Sequence, residues 1–437
     1  MNIQEAMEFI SGTQKFGQNL GLARMECMLE KLGNPQLGIK AIHIAGTNGK
    51  GSVAALMAEV LTKQGFRVGL YTSPFIEEFN ERIQIDRVNI SDDDLAHYTE
   101  IVKAVVEDCV RQGLEHPTEF EIITTIMFLY FKDQNPDFCV VEVGLGGDLD
   151  STNVLVPILS VITSISYDHM NVLGNTLTEI AGAKAGIIKK APVVSYPQLP
   201  EAEVVLRKKA EQMGTTIRFV DKKNAEFVSF DPAKGTQTVA YQTPHWSFRS
   251  EFRLLGVHQL SNSLLALTAL DELDTIYNLH LKRSAITEAL RTVHWMGRFE
   301  IMNHSPEVII DGAHNVDGIT HLKQTLDFYY PKQKYVLILG ILADKETHQM
   351  ADIIARDAKA VICVTPHSNR ASLAKELYDY IISFNDHVSW EDNYRQAFLK
   401  ALAQCADDDY VIACGSLYMI GDLRRVIREE FNIPYEQ

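Results

Sequence analysis

Seven residues, Gly46-Thr-Asn-Gly-Lys-Gly-Ser52, constrain this chain more than any others. They lie between an apolar run at 39–45 and a helix-length segment at 52–64, which reads as strand, loop and helix in succession. At such a junction backbone N–H groups and the positive end of the helix dipole converge, and the result is an anion site. Lys50 adds a point charge and Ser52 a hydroxyl able to ligate Mg²⁺, while Thr47, Asn48, Gly49 and Gly51 complete a cradle for phosphates. The spacing departs from the common G-x-x-x-x-G-K-[ST] form. Ile44 stands where the first glycine belongs, and Gly51 separates Lys50 from Ser52.

The rest of the chain repeats this alternation of short β-branched runs and amphipathic segments, as expected of an α/β protein built on mainly parallel sheets. Apolar runs at 67–71, 138–143, 158–165 and 192–195 read as buried strands of the same sheet, with helical spacing at 92–112 and 119–131. The stretch 201–254 is different, mixing a helix with polar alternation such as 236–241, and reads as a small β-rich excursion. A second α/β series begins after Trp295-Met-Gly-Arg-Phe, with strands expected at 308–310, 335–339, 360–364 and 410–413. We therefore expect two domains, 1–296 and 297–437, with the boundary near 295–300.

With 41 Lys+Arg against 57 Asp+Glu, the formal charge is −16. That argues against nucleic acid as a partner, which needs a basic face toward the phosphates. The six cysteines form no CxxC pair and are expected to be reduced, buried thiols. No basic-then-apolar leader and no run of about 18 apolar residues occurs, so neither export nor a membrane partner is expected. A cytosolic, monomeric protein is the expectation.

Further motifs follow in order: His43-Ile-Ala before the loop, Tyr71-Thr-Ser-Pro-Phe, Phe79-Asn-Glu-Arg-Ile, Glu142-Val-Gly-Leu-Gly-Gly-Asp, Asp150-Ser-Thr-Asn-Val, Asp168-His169, Lys184-Ala-Gly-Ile-Ile-Lys, Gly297-Arg-Phe-Glu, Asp311-Gly-Ala-His-Asn and Gly415-Ser-Leu-Tyr. The shortened loop resembles that of ATP-dependent amide ligases of the Mur type. The whole series resembles folylpolyglutamate synthase, including the related bifunctional dihydrofolate synthase. The resemblance implies an N-terminal P-loop ATPase domain of Mur-ligase type joined to a C-terminal Rossmann-like α/β domain, with the active site between them. It implies ATP and Mg²⁺ as cofactors, and folate or dihydropteroate and L-glutamate as substrates. The substrate carboxylate would be phosphorylated to an acyl phosphate and then attacked by the amine of glutamate.

Residue by residue, the resemblance implies catalytic roles for Lys50, Lys184 and His314, and magnesium ligation by Ser52, Ser73, Glu142 and His169. Lys184 would join them as a carbamate, the modification borne by the matching lysine in the family. Asn262, Arg298 and Asp311 would contact the nucleotide. Arg82, Asp150, His314 and Ser416 would contact the substrates. Glu142 also has a reading of its own: it closes an apolar strand, where a carboxylate can hold Mg²⁺ as a Walker-B acid does. The chain departs from many relatives in having Phe75 after Ser-Pro, where they carry histidine, and Asp148-Leu-Asp-Ser-Thr-Asn where they carry Arg-Leu-Asp-Ala-Thr-Asn. Two rival readings are a peptidoglycan-precursor Mur ligase and a nucleotide-binding regulatory module that forms no amide.

Overall fold

The computed structural model describes residues 1–13, 15, 17, 20–343, 345–367 and 373–434. Its first sheet is organised around β1 (Ala41–Ala45), every residue of which is buried. Eight strands follow the spatial order β4-β3-β2-β5-β1-β6-β7-β8. They are β2 (Val68–Tyr71), β3 (Ile83–Ile85), β4 (Val88–Asn89), β5 (Phe138–Glu142), β6 (Pro157–Ile162), β7 (Val193–Ser195) and β8 (Ile217–Phe219), with β1 paired in parallel to β5 and β6. Strands buried on both faces need continuous apolar runs, which is why β1, β2, β5, β6 and β7 stood out in the sequence. β3 and β4 pair antiparallel at the edge. They were not anticipated, because short edge strands beside a polar turn carry no such run.

The expected β-rich excursion is a three-stranded antiparallel sheet of β9 (Ala225–Asp231), β10 (Thr236–Gln242) and β11 (Ser247–Phe252). It lies against the helix Val257–Tyr277, which packs on the helix Lys50–Lys63; Leu56, Leu264, Phe252 and Val239 share one buried cluster there. The second sheet comprises β12 (Glu300–His304), β13 (Glu307–Ile310), β14 (Tyr335–Leu339), β15 (Ala360–Cys363), β16 (Val388–Trp390) and β17 (Tyr410–Cys414), in the order β12-β13-β17-β14-β15-β16. All its pairings are parallel except β12 with β13.

Several expected boundaries shift. The helix after the phosphate loop begins at Lys50, not at residue 52, and the helix that ends at Lys184 is α-helical over Leu177–Lys184. It tightens into a 3₁₀ turn, Ala185–Ile187, where Gly186 lies against the backbone of Asp148, so close that a Cβ would stand 2.2 Å from its Cα. All six cysteines are free thiols; Cys27 and Cys405 are only half-buried. Among the described residues, no helix is long and apolar enough to cross a membrane.

Candidate active site

Parallel strands deliver their following loops to one edge of a sheet, and here the edges of both sheets face one cavity of about 390 Å³. The loops after β1, β2, β5 and β6 meet those after β13, β14 and β17. Every site residue expected from the sequence lines this cavity: Thr47, Asn48, Gly49, Lys50, Gly51, Ser52, Ser73, Arg82, Glu142, Asp150, His169, Lys184, Asn262, Arg298, Asp311, His314 and Ser416.

The phosphate loop is held from both sides. The Thr47 N–H donates to Ser164 O at 2.7 Å and its hydroxyl to Ser166 O at 3.1 Å, which pins the loop to the segment after β6. Gly49 has φ 88°, a left-handed conformation open to glycine, and a Cβ there would meet Asn262 Oδ1 at 2.5 Å. A Cβ on Gly51 would stand 2.8 Å from Nε1 of Trp295. The residue inserted after Lys50 is thus held to glycine by sterics, because the indole of the inter-lobe linker rests on it. The Lys50 ammonium donates to Gly46 O and Thr47 O at 3.2 and 3.1 Å, at the floor of the cradle.

Beside it lie the residues expected to hold magnesium. Glu142 ends β5, is 4% exposed, and accepts the Ser73 N–H at 3.2 Å. Burial pushes its carboxyl upward, opposed by Lys50, the Ser73 N–H and Arg298. Ser52 is buried and accepts from Gln259 Nε2 at 3.2 Å. His169 sits in a left-handed turn, and burial brings its imidazole down to about 4, so it is neutral at pH 7. The Lys184 amine is buried and donates to Gly46 O at 2.8 Å; burial, then the charge of Lys50, bring it down to about 7. Among the described residues no three of His, Cys, Asp and Glu form a metal cluster. The donor set is instead two hydroxyls, a buried carboxylate short of hydrogen bonds and a neutral imidazole. Hard oxygen donors beside a phosphate cradle fit Mg²⁺, which keeps the remainder of its shell for phosphate oxygens and water.

From the second lobe, half-buried Arg298 lies against Gly312, and desolvation lowers its guanidinium while Asp311 and Glu142 oppose that. Asp311 accepts the N–H groups of Phe299 and Ala313, both at 2.8 Å, fixing the turn that carries His314. His314 Nδ1 lies 2.8 Å from Gly312 O. A carbonyl only accepts, so Nδ1 carries the proton and Nε2 keeps its lone pair. Burial brings this imidazole down to about 4. Ser416 begins the helix Leu417–Phe431 with its hydroxyl buried and without a hydrogen-bond partner, at a cavity-facing helix N-terminus. Such a position suits a carboxylate.

The glycine-rich loop after β5 is organised by Asp150. One of its oxygens accepts the Thr152 N–H and hydroxyl at 2.9 and 2.5 Å, and the other accepts the Leu145 N–H at 2.8 Å. Its carboxylate therefore shapes the loop from within. Arg82 lies over the rings of Phe75 and Phe79 at 5.3 and 5.2 Å, and 3.6 Å from Glu119. The departure at Phe75 thus supports an arginine on the cavity wall.

The sequence reading missed the contacts that join the lobes. Lys345 reaches Asp168 at 2.5 Å with both side chains under 10% exposed. Asn315 donates to Asp168 at 2.8 Å, and Asn48 to Asp317 at 2.7 Å and Asn315 at 3.3 Å. His258, with its Nδ1 buried and unpartnered, also lines the cavity. The signal for Asp168 was its neighbour His169; Lys345, Asn315 and Asp317 looked like ordinary loop and helix-capping residues.

Comparison with known proteins agrees with this geometry. Residues 44–270 match the Mur ligase middle domain, and residues 297–417 match the Mur ligase glutamate ligase domain. The chain is 37% identical to the dihydrofolate synthase/folylpolyglutamate synthase of Bacillus subtilis, over 97% of this chain and 99% of the relative. It is 36% identical to the folylpolyglutamate synthase of Lacticaseibacillus casei, over 98% and 99%. Among solved structures, the Mycobacterium tuberculosis folylpolyglutamate synthase complexed with ADP superposes with a TM-score of 0.89 at 29% identity, covering 98% and 99%. An FPGS–AMPPCP–folate complex superposes with a TM-score of 0.84 at 33% identity, covering 98% and 100%.

Proposed function

Because the chain belongs to the folylpolyglutamate synthase/dihydrofolate synthase family of Mur ligases, we propose that it joins L-glutamate, through its amine, to the γ-carboxylate of a reduced folate at the expense of ATP. The observation that carries this reading is the convergence of phosphate loop, buried carboxylate and second-lobe arginine on one cavity. We assign residues 1–296 to ATP binding and 297–437 to glutamate ligation. The protein acts in the cytoplasm as a monomer on this reading.

Making an amide from a carboxylate requires a leaving group on the carbonyl. A folate carboxylate oxygen attacks the terminal phosphorus of ATP, ADP departs, and an acyl phosphate forms. The glutamate amine then attacks the carbonyl, its proton is lost, and phosphate leaves. Positioning and neutralisation of charge carry most of such a reaction. Residues 47–52 cradle the phosphates, with the Lys50 ammonium on the terminal ones. Arg298 meets them from the opposite lobe, while Asn262 and Asp311 orient the nucleoside. Ser52, Ser73, Glu142 and His169 would hold magnesium, which neutralises phosphate charge when bound. Lys184 is suited to joining them: a buried amine brought down to about 7 is about half in the free-base form at neutral pH, the form that carbamylation requires.

For glutamate, the Ser416 hydroxyl and the helix N-terminus receive a carboxylate, and the Nε2 lone pair of His314 can accept a proton or hydrogen bond from the amine. Arg82 is placed for a folate carboxylate, and the loop held by Asp150 forms the adjoining wall. The same chemistry would join dihydropteroate to glutamate, and the relatives bear both names. The test is phosphate release from MgATP with tetrahydrofolate or dihydropteroate. Release that requires both glutamate and the pterin acid supports the ligase, and release independent of either, or none, refutes it. Turnover of dihydropteroate alone would restrict the reading to dihydrofolate synthase.

A further inference from the structure

Three segments of the cavity wall are tied together at a point outside it. Arg424, two turns along the helix that starts beside Ser416, is 6% exposed and touches a carboxylate on each side. Its Nη1 donates to Glu77 Oε1 at 2.6 Å, and its Nε and Nη2 donate to Glu300 Oε1 at 3.1 and 2.9 Å. Glu77 belongs to the loop that carries Ser73, and its second oxygen accepts from Arg428 at 3.0 Å. Glu300 accepts the N–H of Gly297 at 2.8 Å, the residue before Arg298. A charge-balanced set of two arginines and two glutamates therefore joins the Ser73 loop, the linker segment and the last helix.

The loop can transmit that placement. The Glu81 carboxylate accepts the N–H groups of Ile76, Glu77 and Glu78 at 2.7, 2.9 and 2.7 Å, so the turn between Glu77 and Ser73 is stiff. The contact is close as well. A Cβ on Gly421, one turn before Arg424, would stand 1.8 Å from the carbonyl oxygen of Ile76. Buried ion pairs contribute little net stability compared with apolar packing. Their fixed fork geometry and the hydration of their parts when lobes separate make them better suited to setting a position.

We propose that Arg424 is a positioning residue of the ligase, holding the Ser73 loop and the Gly297–Arg298 segment in the one relative placement that brings Ser73, Glu142 and Arg298 around the same phosphates. The inference rests on the ligase reading above and adds to it a residue that touches neither substrate nor nucleotide.

The experiment compares the wild type with Arg424→Met, Glu77→Gln, their double variant and Gly421→Ala. Arg395→Met is the control, since Arg395 pairs with Glu429 and Glu430 of the same helix away from the site. Each is measured well below its Tm for turnover per folded molecule and for AMPPCP affinity, and each is followed by amide hydrogen exchange. In Arg424→Met and Gly421→Ala, kcat falls about ten- to a hundredfold, the scale of a displacement near 1 Å. AMPPCP affinity falls by a smaller factor than kcat, because residues 47–52 still cradle the phosphates while the contact from Arg298 is displaced. The double variant is no slower than Arg424→Met, as expected for residues acting as one unit. The amides of Ser73 and Gly297 exchange faster in these variants and unchanged in the control. A kcat within twofold of the wild type, additive effects in the double variant, or unchanged exchange at both amides overturns the proposal. If the wild type itself shows no glutamate-dependent phosphate release, the ligase reading fails and this role for Arg424 fails with it. A competent wild type with unaffected variants removes the role alone.

Discussion

Acidification should destabilise the first lobe through His43. The side chain lies in the middle of β1, fully buried, with Nε2 2.8 Å from the Thr152 hydroxyl. That hydroxyl donates its proton to Asp150 at 2.5 Å, so it accepts from His43, and the imidazole proton sits on Nε2. The bare Nδ1 has no partner. A second proton would place a charge and an unmatched donor inside a sheet. Burial first, and the charge of Lys189 second, bring this imidazole down to about 3. The unfolded chain titrates near 6.5. Between those values the unfolded chain takes up a proton that the folded chain refuses, so the contribution is full above about pH 6.5 and is lost as pH falls toward 3. At pH 5 the gap is about 1.5 pH units, worth about 2 kcal/mol. His43→Gln keeps an N–H for Thr152 and does not titrate. Thermal unfolding at pH 7.5 and pH 5.0 should show the wild type losing about 2 kcal/mol more than the variant, with other histidines cancelling in the difference. Parallel pH dependence in the two proteins would refute the reasoning.

Lys50→Ala and Glu142→Ala should each abolish glutamate-dependent phosphate release with circular dichroism unchanged; turnover in either would count against the site. Asp168→Asn should leave the buried Lys345 ammonium uncompensated in the closed arrangement, costing about 3–5 kcal/mol there. That predicts at least a hundredfold loss of kcat, partly restored by adding Lys345→Met; a single variant with normal kcat would show that the pair does not govern closure. Phe75→His removes one of two rings beneath Arg82, a contact worth about 0.5–1 kcal/mol. It should leave ATP affinity intact and reorder the preference among folate substrates, and an identical ranking would dismiss that link.

The unit of β1, loop and helix was legible because buried parallel strands must be continuously apolar and the loop residues are chemically distinctive. Glu142 was legible for the same reason, as the first charge after Phe138-Cys-Val-Val. The early start of the helix at Lys50 was not, since it depends on the left-handed turn at Gly49. β12 escaped because Glu300-Ile-Met-Asn-His carries no apolar run and is an antiparallel edge. The contacts between lobes were invisible for a different reason. Asn48 with Asp317, Asp168 with Lys345 and Glu77 with Arg424 are 269, 177 and 347 residues apart. Each partner alone is a common surface residue, and its importance appears only when the chain brings the other one to it.

The indole that rests on Gly51 has an optical consequence. The chain has three tryptophans; Trp390 is 45% exposed on the far edge of the second sheet and Trp246 lies at the β10–β11 hairpin. Trp295 alone touches the loop that would receive the triphosphate. Filling that loop, or swinging one lobe about the linker, changes the polarity around this ring. Its emission is thus a native gauge of occupancy and lobe angle, readable in a fluorimeter without attaching a dye.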